Sequence, residues 1–336
     1  DLIANSSVRG MRQMHRYSLA TGQFRRITDP AYHHEVQVSP KGELIVDRFS
    51  NLESPPKVQL IDGQGKVLMK LRDSDVSVLE RVKYPKAERF TYTSADGKTQ
   101  LNGRFQLPPA SFSGPRPVLV QVYGGPLPFA SDSWNEDWDG PPTAADFGFV
   151  VVNLEVRGGG GRGRAFRDAL YQNMGRTEID DIAAGIRSLA GRPRIDLSRV
   201  GIEGTSYGGY ASLMALLRYP DLFHAAAVQS CVSDWRNYDT TYTERYMGVL
   251  PESKDAYDAG SAMTSAGRLK GWLMIYYGTA DDNTHPSNSL QIIRALQRAG
   301  KSIEVQVGVD VGHSGMNFER MMEFFIERLV MGRGGN

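Results

Sequence analysis

A single cysteine, Cys231, stands in the 336 residues, so no disulfide can close within the chain and no cysteine-rich metal site exists. Charge of one sign is missing too. With 39 Lys and Arg against 38 Asp and Glu, the net charge of +1 leaves no electrostatic footprint for nucleic acid or an acidic membrane surface. No apolar run approaches the length needed to span a bilayer. The chain opens at Asp1 with neither a methionine nor a signal-like stretch, which raises the expectation that sequence upstream is missing. Nothing in these absences fixes a compartment, although a periplasmic or secreted setting is favoured over a cytoplasmic one. The length suits one large α/β domain with a smaller companion.

Gly204-Thr205-Ser206-Tyr207-Gly208-Gly209 is the stretch around which the rest is arranged. An apolar run from Arg199 to Glu203 precedes it and reads as a buried strand. Tyr210 to Leu217 follows and reads as a buried helix. Strand, G-x-S-x-G, helix is the context of a nucleophile elbow, in which a sharp turn presents a serine hydroxyl at the end of a strand. A Cβ at Gly204 or Gly208 would crowd such a turn. The plainer alternative is an ordinary Gly/Ser turn.

The first ~75 residues read as all-β. Met14–Leu19 and Gln23–Thr28 flank a turn, as do Glu35–Val38 and Glu43–Asp47; Val58–Ile61 and Lys66–Met69 flank Asp62-Gly63-Gln64-Gly65. Even spacing with turn signals is the pattern of propeller blades, and there is material for one or two. The adjacent His33 and His34 point to opposite faces of a strand, which argues against a metal site. The domain boundary is placed at 80/81. Beyond it a hairpin, Arg89–Thr93 with Leu101–Phe105, leads into alternating strands and helices. Apolar runs at Pro117–Val122, Phe149–Leu154, Val200–Ile202, Ala225–Val228, Leu273–Tyr277 and Ile303–Val307 read as buried parallel strands. A helix starts at Thr177, where Thr177 and Asp180 match a capping box, and places Ile179, Ile182, Ile186 and Leu189 on one face. Another spans Asn288–Arg298 and stops at Gly300; a last one buries Phe318, Met321, Phe325 and Leu329. The fold class is α/β, an α/β-hydrolase fold with a doubly wound, mostly parallel sheet.

A serine needs a base, and in such folds the chain order is Ser, Asp or Glu, His. The strand Leu273–Tyr277 leads into Asp281 and Asp282; the strand Ile303–Val307 leads into His313. His313 is therefore the expected base, and one of the two aspartates its partner, with spacing unable to choose between them. His285 lies too near those carboxylates in sequence to serve both them and the serine. His224 and His15 read as structural. The Tyr207 N–H is one expected oxyanion donor, and the loop Tyr123-Gly124-Gly125-Pro126 should supply the other, through a backbone N–H or a tyrosine hydroxyl. Gly158–Gly163 satisfies G-x-G-x-x-G, but Glu178 and Asp180, at the distance where a dinucleotide site wants an acid, open a helix instead. No organic cofactor and no metal is expected.

With these residues in view, the chain resembles the prolyl oligopeptidase family of serine peptidases, in particular its dipeptidyl peptidase IV branch. The matching stretches are Val122 to Pro126, Gly204 to Tyr210, Tyr242-Thr243-Glu244-Arg245-Tyr246-Met247-Gly248, Gly278 to His285 and Gly312-His313. The resemblance implies that Asp281 is the triad acid and that the Tyr123 hydroxyl is the second oxyanion donor. It implies a pocket for the residue before the scissile bond lined by Tyr207, Val232, Trp235, Tyr238 and Tyr242, with Asn283 orienting substrate near its amino end. The clustering of Trp235, Tyr238, Tyr242 and Tyr246 at helical spacing fits a pocket or a plain core. Thr205, Glu155 and Thr284 depart from the branch, which usually has Trp, Asp and Val there. The carboxylates that hold a substrate's ammonium in this branch sit upstream of anything in the chain.

The reading is a serine peptidase acting on short peptides through an acyl-enzyme, after proline or alanine. An acylaminoacyl peptidase or esterase on the same scaffold is the rival enzyme, and a non-catalytic adaptor the rival of another class. Expected partners are a peptide substrate, a missing upstream propeller segment and a second copy in a homodimer, with the last helix as a candidate contact.

Overall fold

Turn residues punctuate the first part of the chain and set its strand lengths. The computed structural model describes residues 1–8, 11–127 and 143–332. Strands β1 (Leu2–Val8), β2 (Met11–Tyr17) and β3 (Phe24–Arg26) form one antiparallel sheet. A second holds β4 (His33–Val38), β5 (Leu44–Asn51), β6 (Ser54–Asp62) and β7 (Val67–Arg72). The Asp62 carboxylate closes the β6–β7 turn by accepting the N–H groups of Gln64 and Lys66 at 2.8 and 2.9 Å. Met14, Ile27, Ile45 and Ile61 are buried together as a small core shared by both sheets. These are the blade-like elements the turn pattern predicts, with β1 added. His34 turns inward to Asp47 at 2.8 Å, whereas His33 accepts the Arg12 N–H, so the two face apart as expected.

A short helix, Ser77–Val82, leads to the large sheet. It contains β8 (Ala87–Thr93), β9 (Gln100–Gln106), β10 (Arg116–Gln121), β11 (Val150–Leu154), β12 (Ile195–Thr205), β13 (Ala225–Gln229), β14 (Trp272–Gly278) and β15 (Glu304–Gly308). Their order is β15-β14-β13-β12-β10-β11-β9-β8. The six strands from β11 to β15 in that row are parallel, and the β8–β9 hairpin joins antiparallel to β11. Alternation sends Val118, Val120, Ile202 and Val228 to a core shared with the helices Thr177–Arg187 and Tyr207–Arg218. On the other face, Leu119, Val151, Ala227 and Met274 pack under the last helix, Phe318–Phe325. Both faces are covered, as a parallel sheet requires. No helix among the described residues is long and apolar enough to cross a membrane.

Three expectations need correction. The helix at Thr177 has no capping box, because Asp180 is drawn instead to Arg218 and Tyr219, each at 2.7 Å. Strand β15 is an edge strand, and Val305 and Val307 are exposed rather than buried. The aromatic residues from Trp235 to Tyr246 do not share one helix: Trp235 sits in a 3-10 turn, Tyr242 and Tyr246 in the helix Thr240–Met247. The apolar face of the last helix packs on the sheet, through Phe325 against Phe149.

Candidate active site

The strand order reverses between β10 and β12, and the crevice at the carboxyl ends of such neighbours is where open α/β sheets place ligands. Tyr123 follows β10 and Ser206 follows β12. Ser206 has φ 62° and ψ −121°, a conformation that costs an L-residue energy and persists only where its surroundings enforce it. Two backbone bonds do so. The Ser206 N–H donates to the Gln229 carbonyl at 2.9 Å, and the Ser206 carbonyl accepts from Tyr210 N–H at 3.0 Å. A Cβ on Gly204 would sit 2.6 Å from the Gly208 backbone, and one on Gly208 would run into the Val122 carbonyl. The glycines thus let the turn close against the end of β10, as the motif predicts. The first turn of the helix Tyr207–Arg218 leaves its N–H groups without intrahelical partners, the Tyr207 N–H among them.

Asp281 and His313 meet across the loops after β14 and β15. The His313 Nδ1 lies 2.9 Å from Asp281 Oδ2 and 3.1 Å from Oδ1. Asp281 is buried, and its Oδ1 also accepts the N–H groups of Asn283 and Thr284 at 3.0 and 2.9 Å. Asp282 is exposed. Position in sequence left the two aspartates open, and the structure puts the first against the histidine. The exposed His285 turns to Ser287, and His224 accepts the Val200 N–H, so neither is in the site. No hydrogen bond joins Ser206 to His313 among the contacts of the described residues. Such bonds are often long without substrate and tighten in the complex.

Gln229, which the sequence reading passed over, ties these groups together. Its backbone carbonyl holds the Ser206 N–H, its Nε2 lies 3.5 Å from the His313 carbonyl, and its Oε1 accepts the Met316 N–H at 3.3 Å. The signal available was a polar residue closing the run Ala225-Ala226-Ala227-Val228.

An aromatic wall stands beside the serine. Tyr207 packs on Tyr123 with ring centroids 5.9 Å apart and on Trp235 at 5.4 Å. Trp235 stacks on Tyr242 at 5.9 Å, Tyr238 meets Tyr242 edge-on at 5.4 Å, and Tyr242 meets Tyr246 at 4.9 Å. Val232 is buried in the same core. The Tyr238 hydroxyl donates to Asn283 Oδ1 at 2.7 Å. Burial, then the neighbouring Tyr246, raises the Tyr123 phenol above its ordinary range, so it remains a proton donor at neutral pH. The expected pocket residues are thus brought into one cluster, with Asn283 at its polar edge.

Of the residues that depart from the expected pattern, Glu155 is partnered, whereas the buried Thr284 hydroxyl has no partner among the described residues. Glu155 is buried, and its Oε2 accepts from the Asn102 backbone and side chain at 2.9 and 2.7 Å and from Arg162 at 3.2 Å. The two acids at the distance a dinucleotide motif would use are engaged elsewhere, Glu178 with Tyr207 and Asp180 with Arg218. Among the described residues no group of three or more His, Cys, Asp or Glu could hold a metal ion.

Comparison with known proteins adds to this geometry. The model of the prolyl oligopeptidase family matches residues 136–329. Dipeptidyl peptidase 8 of Homo sapiens is 33% identical over 310 residues, 87% of this chain and 34% of that protein. A probable dipeptidyl peptidase 4 of Aspergillus clavatus is 35% identical over 247 residues, 70% of this chain and 32% of that one. The crystal structure of Porphyromonas gingivalis dipeptidyl peptidase 4 superposes with a TM-score of 0.86 at 29% identity, covering 97% of this chain and 48% of that one. The chain therefore spans about a third of the length of these two curated relatives.

Proposed function

The chain belongs to the prolyl oligopeptidase family, and from that premise we propose that it is a serine peptidase of dipeptidyl peptidase type, cleaving short peptides after a proline or alanine in second position. The observation that carries the proposal is the strained Ser206 at the end of β12, with the Asp281–His313 pair in the loops after β14 and β15 of the same sheet. Ser206 Oγ attacks the scissile carbonyl while His313 takes its proton; Asp281 holds the imidazole in orientation and stabilises its charged form. The Tyr207 N–H and the Tyr123 hydroxyl receive the developing oxyanion. His313 then returns the proton to the leaving amine, and water repeats the sequence on the acyl-enzyme.

Specificity rests on the aromatic wall. A proline ring has flat apolar faces and no N–H, so burial against Tyr207, Trp235 and Tyr242 favours it while asking for no hydrogen bond. The division at 80/81 separates the blade-like sheets from this catalytic part.

The test is kcat/KM of the full protein on an Ala-Pro chromogenic substrate with a free or an acetylated amino terminus, with Ser206→Ala as control. Preference for the free amine that vanishes in Ser206→Ala supports the dipeptidyl reading. Equal or better cleavage of the acetylated form overturns that specificity and favours the acylaminoacyl alternative. Activity that survives Ser206→Ala overturns the mechanism.

A further inference from the structure

Glu178 is a fully buried carboxyl that the mechanism above does not use. It lies in the first turn of the helix Thr177–Arg187, where its Oε1 accepts the Gly175 N–H at 2.5 Å and the Tyr207 hydroxyl at 2.9 Å. Its Oε2 is buried without a partner. The charged and titratable groups that face it come from the helix Tyr207–Arg218, as Tyr207, Tyr210 and Arg218, and from the helix Thr240–Met247, as Tyr242. Arg218, the cation among them, is committed to Asp180 at 2.7 Å.

Two donors on one oxygen are a thin setting for a buried charge. Burial pushes the Glu178 carboxyl up to about 7, against the lowering effect of the Gly175 N–H, its own N–H, Tyr207 and Arg218. It therefore changes charge within the neutral range. What it holds is the side chain of the residue directly after the nucleophile. The Tyr207 backbone is the proposed oxyanion donor, and its ring touches Tyr123, Tyr210 and Trp235. A hydroxyl donating to a carboxylate is held more strongly than one donating to a neutral acid.

We propose that Glu178 is a positioning residue for the hydrolysis, acting through the Tyr207 hydroxyl, and that its ionised form is the one that sets Tyr207 for oxyanion binding. The inference rests on the serine peptidase reading and goes beyond it. A helix cap alone would make the same bond to Gly175 but would leave the rate indifferent to the proton on Glu178.

The experiment follows the second-order rate of Ser206 labelling by a neutral fluorophosphonate from pH 5 to 9 in the full protein. This probe has no amine to titrate and no leaving group that needs protonation. In the wild type the profile of log rate against pH carries, besides the limb set by the base, an added step of about one log unit as Glu178 ionises. In Glu178→Gln, and independently in Tyr207→Phe, that added step is absent and the plateau drops roughly tenfold, the worth of one charge-assisted hydrogen bond. The double variant is no slower than the single ones. The step retained in either variant, or losses that multiply in the double variant, overturns the inference. The Tyr207→Phe arm decides the matter alone should Glu178→Gln fail to fold. Labelling that persists in Ser206→Ala would instead overturn the underlying peptidase reading, and the two failures are distinct.

Discussion

Replacing Ser206 by glycine should give a protein more stable than replacing it by alanine, although both are inactive. The reasoning starts from the backbone. At φ 62° and ψ −121° any residue with a Cβ is strained, and alanine keeps that Cβ while serine's hydroxyl is lost. Strain of this kind is worth about 1–3 kcal/mol. Glycine removes it but loses about 0.5–1 kcal/mol through the greater freedom of its unfolded chain. The balance favours Ser206→Gly over Ser206→Ala by about 1 kcal/mol. For a chain of 336 residues, an unfolding entropy of roughly 2 cal/mol/K per residue converts that into a rise of about 1–2 °C in Tm. Differential scanning calorimetry of the two variants in one buffer reads the difference directly, with no activity or bound substrate to confuse it. The contacts that hold the turn, from Ser206 N–H to Gln229 and from Tyr210 N–H to Ser206, are backbone contacts and survive in both variants. If Ser206→Gly melts at or below Ser206→Ala, the serine is not strained in the folded protein and the elbow argument fails.

Other predictions concern rate and pH. Asp281→Asn removes the charge that faces His313 Nδ1 and should lower kcat by roughly 10³–10⁴-fold with KM little changed, read by steady-state kinetics. Tyr123→Phe keeps the ring packing on Tyr207 but deletes the hydroxyl, so kcat should fall about 10²–10³-fold while labelling of Ser206 still occurs. Glu178 sits at about 7 in the folded protein, above the ordinary 4.5, so the folded state holds its proton more tightly than the unfolded chain. Its contribution to stability is full below about 4.5 and lost as pH rises through about 7, on the order of a few kcal/mol. Urea midpoints taken from pH 5 to 8 should accordingly fall more steeply in the wild type than in Glu178→Gln; equal slopes would contradict the placement of the proton.

The sequence was most legible where a local rule and the tertiary fold agree. Val200-Gly201-Ile202 could only be a buried strand, the glycines around Ser206 could only serve a tight turn, and the structure has both. The triad order followed because each partner sits in a loop after an apolar run, and His313 indeed meets Asp281. Legibility ended where a polar side chain is claimed by a distant residue. Asp180 looks like half of a capping box, yet its partners, Arg218 and Tyr219, lie far along the chain on the facing helix. Glu178 was set aside as helix-opening for the same reason, its partner Tyr207 being 29 residues away. Strand β1 was missed because Asn5-Ser6-Ser7 carries no apolar alternation, and its pairing with β2 is what makes it a strand. The aromatic run was ambiguous between pocket and core: Trp235 is buried, while the Tyr238 hydroxyl reaches Asn283.

The bond from the Ser206 N–H to the Gln229 carbonyl also bears on the order of assembly. A chain in which β12 and the helix Tyr207–Arg218 have formed, but β13 has not docked, lacks one of the two backbone bonds that hold the serine at positive φ. The same residue, Gln229, then reaches the His313 loop after β15, the last strand to be made. Both bonds that frame the serine, and the link from Gln229 to the His313 loop, are thus complete only when the carboxyl-terminal half of the sheet is in place. On the proposed mechanism, a partly folded copy carries Ser206, Asp281 and His313 without the full backbone frame that holds Ser206 strained.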